Sequence, residues 1–488
     1  MLYAQICYAG LQSRQVATQC CLLKELKMKK RTRPHDCYII LPQIKNNMAK
    51  SASATILNVI QAEIVKYGNL ETLKNFYNSN SGNGNLPAGA FSRHRQMTFT
   101  ELFNFLLYPR SKSTDLELLE YSHLIGKSNV NKSDFSRRRQ YVAPGYLKKL
   151  NTSAVASVYG KCEFTTWNSH LVLAADGTTY SLPNTPALRL RYLQGRRTGR
   201  GEQALARGVV LKDVLNDIVI ASNMECYGKD EIGLLSDELE HLPQEVLRHS
   251  PVVVLDRKFC AYTLMAKMIQ LGIGYVIRVK ARFNSDVDEF IRSGKHEYVT
   301  DIHPASSTIK KLNRIYGKGD YTSFRVRLVR LSSDVVVMTS IADSLFSDSA
   351  DNIYHARWDD ETTIGFFKNC MQVEVFSGIS ETAIQQDFHA KTILYNVLSA
   401  LCRQAAMMRH DGKDRRINRN VALGILKLNA VLAITGMSPN RNNNLLSVLN
   451  EIGRFTTPVK KHRSNPRVFR KMKHSGKYIT LYNYRRAI

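Results

Sequence analysis

Two segments of this 488-residue chain run an apolar stretch straight into an aspartate: "LVLAADGTTY" meets Asp176 and "PVVVLDRKF" meets Asp256. A carboxylate at the end of a buried strand is poorly hydrated and costly unless it is paired or bound to metal. One such Asp is unremarkable as a cap or turn residue. Two on neighbouring strands of one sheet begin to look like a metal site. A hard divalent cation such as Mg2+ wants oxygen ligands and often takes a few carboxylates plus substrate phosphate. Such a site needs a third acid, and "YHARWDDETTIGFFK" (354–368) offers three in a row. On a helix turning about 100° per residue, Tyr354, Arg357, Glu361 and Lys368 share one narrow face. Asp359 and Asp360 point away from it and read as solvated charge. Glu361 is therefore the acid that could close a two-metal site with Asp176 and Asp256. Arg357 and Lys368 would grip phosphates, and Tyr354 would stack on a base or pack on a sugar.

The elements that must hold these residues follow from periodicity. "LVLAADGTTYSLP", "ARGVVLKDVL", "DIVIASN", "PVVVLDRKF" and "GYVIRVKA" read as strands, with a turn around Asn216. Helices are expected over about 230–248 and in "AYTLMAKMIQLG". Strands joined by helices imply an α/β sheet with helices packed on it. In "TSFRVRLVRLSSDVVVMTSI" apolar residues alternate with Arg325, Arg327 and Arg330, which reads as a half-buried strand showing arginines to solvent or phosphate. Helices resume from about 353. Upstream, "MAKSASATILNVIQAEIV" places Ile56, Val59, Ile60, Ile64 and Val65 at helical spacing. Thr98 or Thr100 caps the helix in "TFTELFNFLLYPRSKS". "SGNGNLPAGAFSRHRQ" (81–96) is a loop by its Gly and Asn content. Arg137, Arg138 and Arg139 lie on another helix, as a DNA-contacting cluster or as a solvated basic face.

Composition narrows the partner. The chain has 69 Lys+Arg against 41 Asp+Glu, a net charge of +28. A field of that sign attracts polyanions, nucleic acid above all. No apolar run approaches the ~18 residues a membrane span needs, and no signal-peptide core opens the chain. Nine Cys with no CxxC pair indicate neither a disulfide framework nor a structural zinc site, and fit a reducing cytoplasm. Residues 403–488 carry 19 Lys+Arg against three Asp+Glu. Residues 1–47 hold Cys7, Cys20, Cys21 and Cys37 and a basic run. They read either as a basic arm or as a non-native extension ahead of Met48.

The spacing Tyr-x2-Arg-x3-Glu-x6-Lys at Tyr354, Arg357, Glu361 and Lys368 resembles the signature of the DDE transposases of insertion sequences of the insertion-sequence-four type. Four fixed types at fixed spacing arise by chance in roughly one chain in several hundred. "AADGTTY" at Asp176 and "LDRKF" at Asp256 resemble that family's two Asp-bearing strands, and 104 residues separate Asp256 from Glu361. The resemblance covers about 90–402. It implies an RNase H-like mixed sheet flanked by helices and interrupted by a β-rich insertion. The expected domains are a helical DNA-binding domain at 48–165, catalytic core at 166–280 and 351–402, the insertion at 281–350, and a basic helical DNA-binding or dimerisation region at 403–488.

The resemblance also implies Asp176, Asp256 and Glu361 as catalytic acids holding two Mg2+ ions, with Mn2+ able to substitute. Tyr354, Arg357 and Lys368 become DNA contacts. Cut-and-paste transposition through end cleavage, a hairpin and strand transfer is the implied reaction, on double-stranded DNA carrying the element's inverted repeats. A homodimer on paired ends, in the cytoplasm at the nucleoid and away from membranes, goes with it. Some relatives stack a flipped base on a Trp of the insertion. Here Trp167 and Trp358 both lie outside 281–345, which leaves Phe283, Phe290, Tyr298 or Phe324 for that task. A simple metal nuclease would leave the Tyr-Arg-Lys face unexplained. An inactive transposase-derived DNA-binding protein is the alternative, although all three acids are present.

Overall fold

The computed structural model describes residues 51–68, 91, 97–108, 112–127, 130–196, 202–342, 345–409, 415–435 and 441–459, all within one compact unit. The extension 1–47, most of the expected loop 81–96 and residues 460–488 lie outside the described residues.

One mixed eight-stranded sheet organises the chain, flanked by helices, in the order β3-β2-β1-β4-β5-β8-β7-β6. Its members are β1 (Val172–Ser181), β2 (Leu205–Asp213), β3 (Ile218–Cys226), β4 (Val252–Leu255), β5 (Gly274–Arg278), β6 (Glu297–Ile302), β7 (Phe324–Arg330) and β8 (Val336–Thr339). β1, β4 and β5 run parallel at its centre. Such strands are covered on both faces, which explains the unbroken apolar run of β4: Val252, Val253, Val254 and Leu255 are all buried. The register pairs Ala175 with Leu255. Asp176 and Asp256 are each the next residue and so take neighbouring positions. Asp256 leaves the sheet there, but β1, expected to end at Asp176, runs on to Ser181 because β2 continues to pair with it, Asp176 standing opposite Val210. β1 also pairs antiparallel with β2, and β2 with β3 across a turn where Asp217 takes φ 57°.

Residues 281–342 add helices Ser285–Ser293 and Ser306–Tyr316 and strands β6 to β8, which extend the same sheet beyond β5. The arginines of β7 serve the fold rather than an open phosphate-binding face. Arg327 bonds Glu297 and the carbonyls of Ile341 and Ala342, and Arg330 bonds the carbonyls of Phe290, Ile291 and Lys295. Arg325 is exposed and pairs with Asp301 at 2.6 Å.

The N-terminal helices form as their periodicity demands. In helix Ala52–Gly68, Ile56, Ile60 and Ile64 are buried, whereas Val65 is 77% exposed. Thr98 caps helix Phe99–Leu107 through a capping box with Glu101. The expected single helix over 230–248 is two, Glu231–Glu240 and Gln244–Leu247, because Pro243 interrupts the ladder. Of the three arginines on helix Lys132–Arg139, Arg138 and Arg139 are buried, and only Arg137 is open to solvent.

Helix Glu381–Met407 is the spine that receives these pieces; twenty of its 27 residues are buried. Its buried polar side chains are bonded. Asn396 meets Val219 and Asn151, and Gln386 meets the carbonyls of Arg139 and Val142. His389 lies on this helix, T-shaped against Phe388. Burial, with help from nearby Lys148, lowers its pKa to about 3. An unfolded chain takes up that proton near pH 6.5. Folding stability should therefore fall as pH drops from about 6.5 toward 3, since the unfolded state then binds more protons. Denaturant titrations across that range, with His389→Leu alongside, check this. A slope as steep in the variant as in the parent would count against it.

Candidate active site

Asp176, on β1, is half-buried, and its Oδ1 accepts the N–H of Gly177 at 2.8 Å. Burial raises its pKa to about 6, and the neighbouring charges of Glu361 and Glu231 push the same way against Arg357. Asp256 caps a short 3-10 turn, Arg257–Phe259, at the end of β4. It faces Arg357 and Tyr354 closely enough to perturb both. Glu361 accepts from Arg357 Nη1 at 3.0 Å. The structure thus brings Asp176, Asp256, Glu361, Arg357 and Tyr354 to one end of the parallel strands.

Lys368 sits further along. Its ammonium donates to Thr179 O at 2.7 Å, lies 4.0 Å from Glu374 and stands 5.2 Å over the Tyr180 ring. Tyr354 is buried in an apolar cluster with Phe346 and Ile353. Arg357 is buried between two aromatic rings, 5.8 Å from Tyr354 and 5.5 Å from Trp358. Of the four aromatic residues named for a flipped base, Phe290 and Phe324 are buried and Phe283 stacks on Tyr262, while Tyr298 is 44% exposed.

The signature stretch is not one straight helix. Leu345–Ala356 ends and Trp358–Asn369 begins across Arg357, where the Arg357 N–H meets Tyr354 O and the Asp360 N–H meets Arg357 O. Those bonds reach three residues back instead of four, so the chain turns further per residue there than an α-helix does. The three acids all follow that turn, and the buried stripe of their helix, Asp360, Thr363, Ile364 and Phe367, sorts them. Asp360, expected in solvent, is fully buried, and neither carboxylate oxygen has a hydrogen-bond partner. Burial raises its pKa well above the usual range, and Asp176 and Asp359 add to the push. Asp359 is half exposed yet not free. It pairs at 2.5 Å with Lys212, a buried lysine on β2 that also reaches Asp217 and Thr363. Lys212 thus ties the first turn of helix Trp358–Asn369 to the sheet.

Residue patterns did not reveal Lys212, Asp360 or Glu231 as members of this region. The one available signal was "LKD" closing a strand, a lysine inside an otherwise apolar run.

The chemistry of the donors suits a hard divalent cation: carboxylate oxygens, with Asp176 under a desolvation that a cation would relieve. Their arrangement is not closed, however. Among the described residues no three His, Cys, Asp or Glu side chains converge closely enough to hold a metal ion. Glu361 is instead engaged by Arg357.

Residues 167–397 match the transposase DDE domain family. The matched stretch contains Asp176, Asp256 and Glu361. Among solved structures the chain is similar to a piggyBac transposase in a synaptic complex with hairpin DNA, determined by cryo-electron microscopy. The similarity covers 91% of this chain and 82% of that one, at 9% identity and a TM-score of 0.37. No curated protein matches the chain. Among the described residues no helix is long and apolar enough to cross a membrane.

Proposed function

We propose that the chain is the transposase of an insertion sequence of the insertion-sequence-four type, cutting and joining DNA on an RNase H-like core. The observation that supports this reading is the adjacent register of Asp176 on β1 and Asp256 after β4, with Arg357, the partner of Glu361, close to both acids inside the matched stretch. Asp176, Asp256 and Glu361 would hold two Mg2+ ions, or Mn2+, once Glu361 leaves Arg357. Bound there, such ions supply a nucleophile at neutral pH and stabilise the leaving oxygen. Released from Glu361, the Arg357 guanidinium is free to grip a phosphate. Lys368, swinging from Thr179 O, would do the same, and Tyr354 would support a distorted nucleotide. The proposed course is end cleavage, a hairpin and strand transfer, carried out by a homodimer on paired inverted repeats.

The experiment uses a labelled duplex carrying the element's inverted repeat, with Mg2+ added. A metal-dependent nick at the repeat boundary supports the reading. Salt-sensitive binding with no nick on single or paired ends favours the inactive binder.

DNA needs a phosphate-facing surface, and helix Ser306–Tyr316 offers one. Leu312 is its one buried residue, while Lys310, Lys311, Arg314 and the following Lys318 are exposed. None of the four has an acidic partner among the described residues, and residues 302–319 contain no acid. Replacing all four by Ala should weaken duplex binding and flatten its dependence on salt, by about 0.9 in logarithmic slope for each phosphate no longer neutralised. Fluorescence anisotropy over a KCl series reads this, and an unchanged slope would place DNA elsewhere.

A further inference from the structure

Glu231 is the first residue of helix Glu231–Glu240, and its side chain is only 4% exposed. A buried carboxylate needs partners, and Glu231 has two. Its Oε1 accepts from Lys258 Nζ at 2.6 Å and from Arg207 Nη1 at 3.1 Å. Lys258 stands two residues after Asp256, on the turn that ends β4. Arg207, on β2, also donates to Thr179 Oγ1 on β1 at 3.1 Å. The carboxylate itself lies against Gly177, the residue after Asp176, so closely that a Cβ there would collide with Glu231 Oε2. Gly177 is therefore needed for this approach, not for an unusual backbone angle. One buried side chain thus touches the strand that carries the first acid and, through Lys258, the turn that carries the second.

We propose that Glu231 is a positioning residue for the proposed cleavage: it clamps β1 at Gly177 to the turn that ends β4 and so fixes the separation of Asp176 and Asp256. This rests on the reading of those two acids as a metal-holding pair. Glu231 touches no reacting atom. It lies against Gly177, whose neighbour Asp176 points to the opposite face of the strand. A buried ion pair adds little net stability over an apolar replacement, so a role in geometry accounts for its placement better than a role in stability does. Lys258 extends the clamp outward: its side chain is 62% exposed, yet it spends its charge on Glu231.

The test measures Mn2+ binding to the protein alone, by electron paramagnetic resonance of free Mn2+, together with the Mn2+ dependence of nicking. Glu231→Ala and Lys258→Met should each weaken Mn2+ binding by about tenfold, the size of effect seen when a residue supporting a metal ligand is removed. Glu231→Gln, which keeps the shape and one acceptor, should recover most of it. Lys258→Met alters a surface residue and guards against a Glu231→Ala protein that fails to fold. Gly177→Ala should lower the melting temperature, and adding Glu231→Ala should restore it. Wild-type Mn2+ affinity in both Glu231→Ala and Lys258→Met would overturn the proposal. So would a Gly177→Ala defect that Glu231→Ala leaves unrelieved. A parent protein that binds no Mn2+ and nicks no DNA would instead overturn the metal-site reading, and the clamp's role in cleavage with it.

Discussion

Glu361→Gln should abolish metal-dependent nicking while leaving duplex affinity within a factor of about two. Losing a residue that merely supports a metal ligand costs about 10–100-fold, so losing a ligand should cost more than about a hundredfold. The amide keeps the size of the carboxylate and can still accept from Arg357, whose present bond to Glu361 is 3.0 Å. What disappears is the negative charge a divalent cation needs. Affinity should persist because no phosphate grip is removed. Without the Glu361 charge, Arg357 should even be freer to meet DNA. Gel resolution of nicked product, beside a binding isotherm for the same duplex, reads both quantities. Nicking at more than a tenth of the parent rate would remove Glu361 from the site. A parallel loss of binding would make it a structural residue.

How much of this region could be read from sequence depends on which interactions are local. The strands that carry Asp176 and Asp256 were legible because an apolar run is a one-dimensional pattern, whereas the continuation of β1 past Asp176 to Ser181 depends on its pairing with β2, which no local pattern shows. The capping box at Thr98 was legible because it too is a local pattern. Asp360 is buried because it shares the i, i+3, i+4, i+7 stripe of helix Trp358–Asn369 with Thr363, Ile364 and Phe367, the face that packs inward, so its charge hides a position that the helical period makes interior. No count along the chain shows that Lys212, about 150 residues away, waits beneath that turn to pair with Asp359. Glu231 escaped notice likewise: as a helix-start acid it looks like an ordinary dipole partner, and only the fold places it against Gly177. The β7 arginines alternate as a half-exposed strand should, yet two of the three are taken up by carbonyls that sequence cannot locate. Long-range polar pairing, unlike secondary structure, leaves no local pattern in the chain.

The same distinction decides what the arginine cluster at 137–139 does, and there the expected effect on stability is largest. Arg139 is 3% exposed, and its partner Asp387 on the spine helix is fully buried. The guanidinium meets Asp387 Oδ1 at 3.0 Å, Gln386 Oε1 at 2.8 Å, Ser377 Oγ at 2.6 Å and the carbonyl of Ala383 at 3.1 Å. Arg139→Met would remove the cation and strand Asp387 in the core, which costs about 3–5 kcal/mol. Combining it with Asp387→Leu should recover much of that loss, because no charge is then left unpaired. A phosphate-binding Arg139 would behave differently: the single variant would bind DNA less tightly and unfold at the parent's denaturant midpoint. Arg137, exposed and paired among the described residues with Asp134 one turn away, is the residue of the three that could show that behaviour. Denaturant midpoints and DNA affinities of Arg137→Ala and Arg139→Met, measured side by side, separate the two roles. A stable Arg139→Met protein would mean that the buried pair does not join the N-terminal helices to the spine.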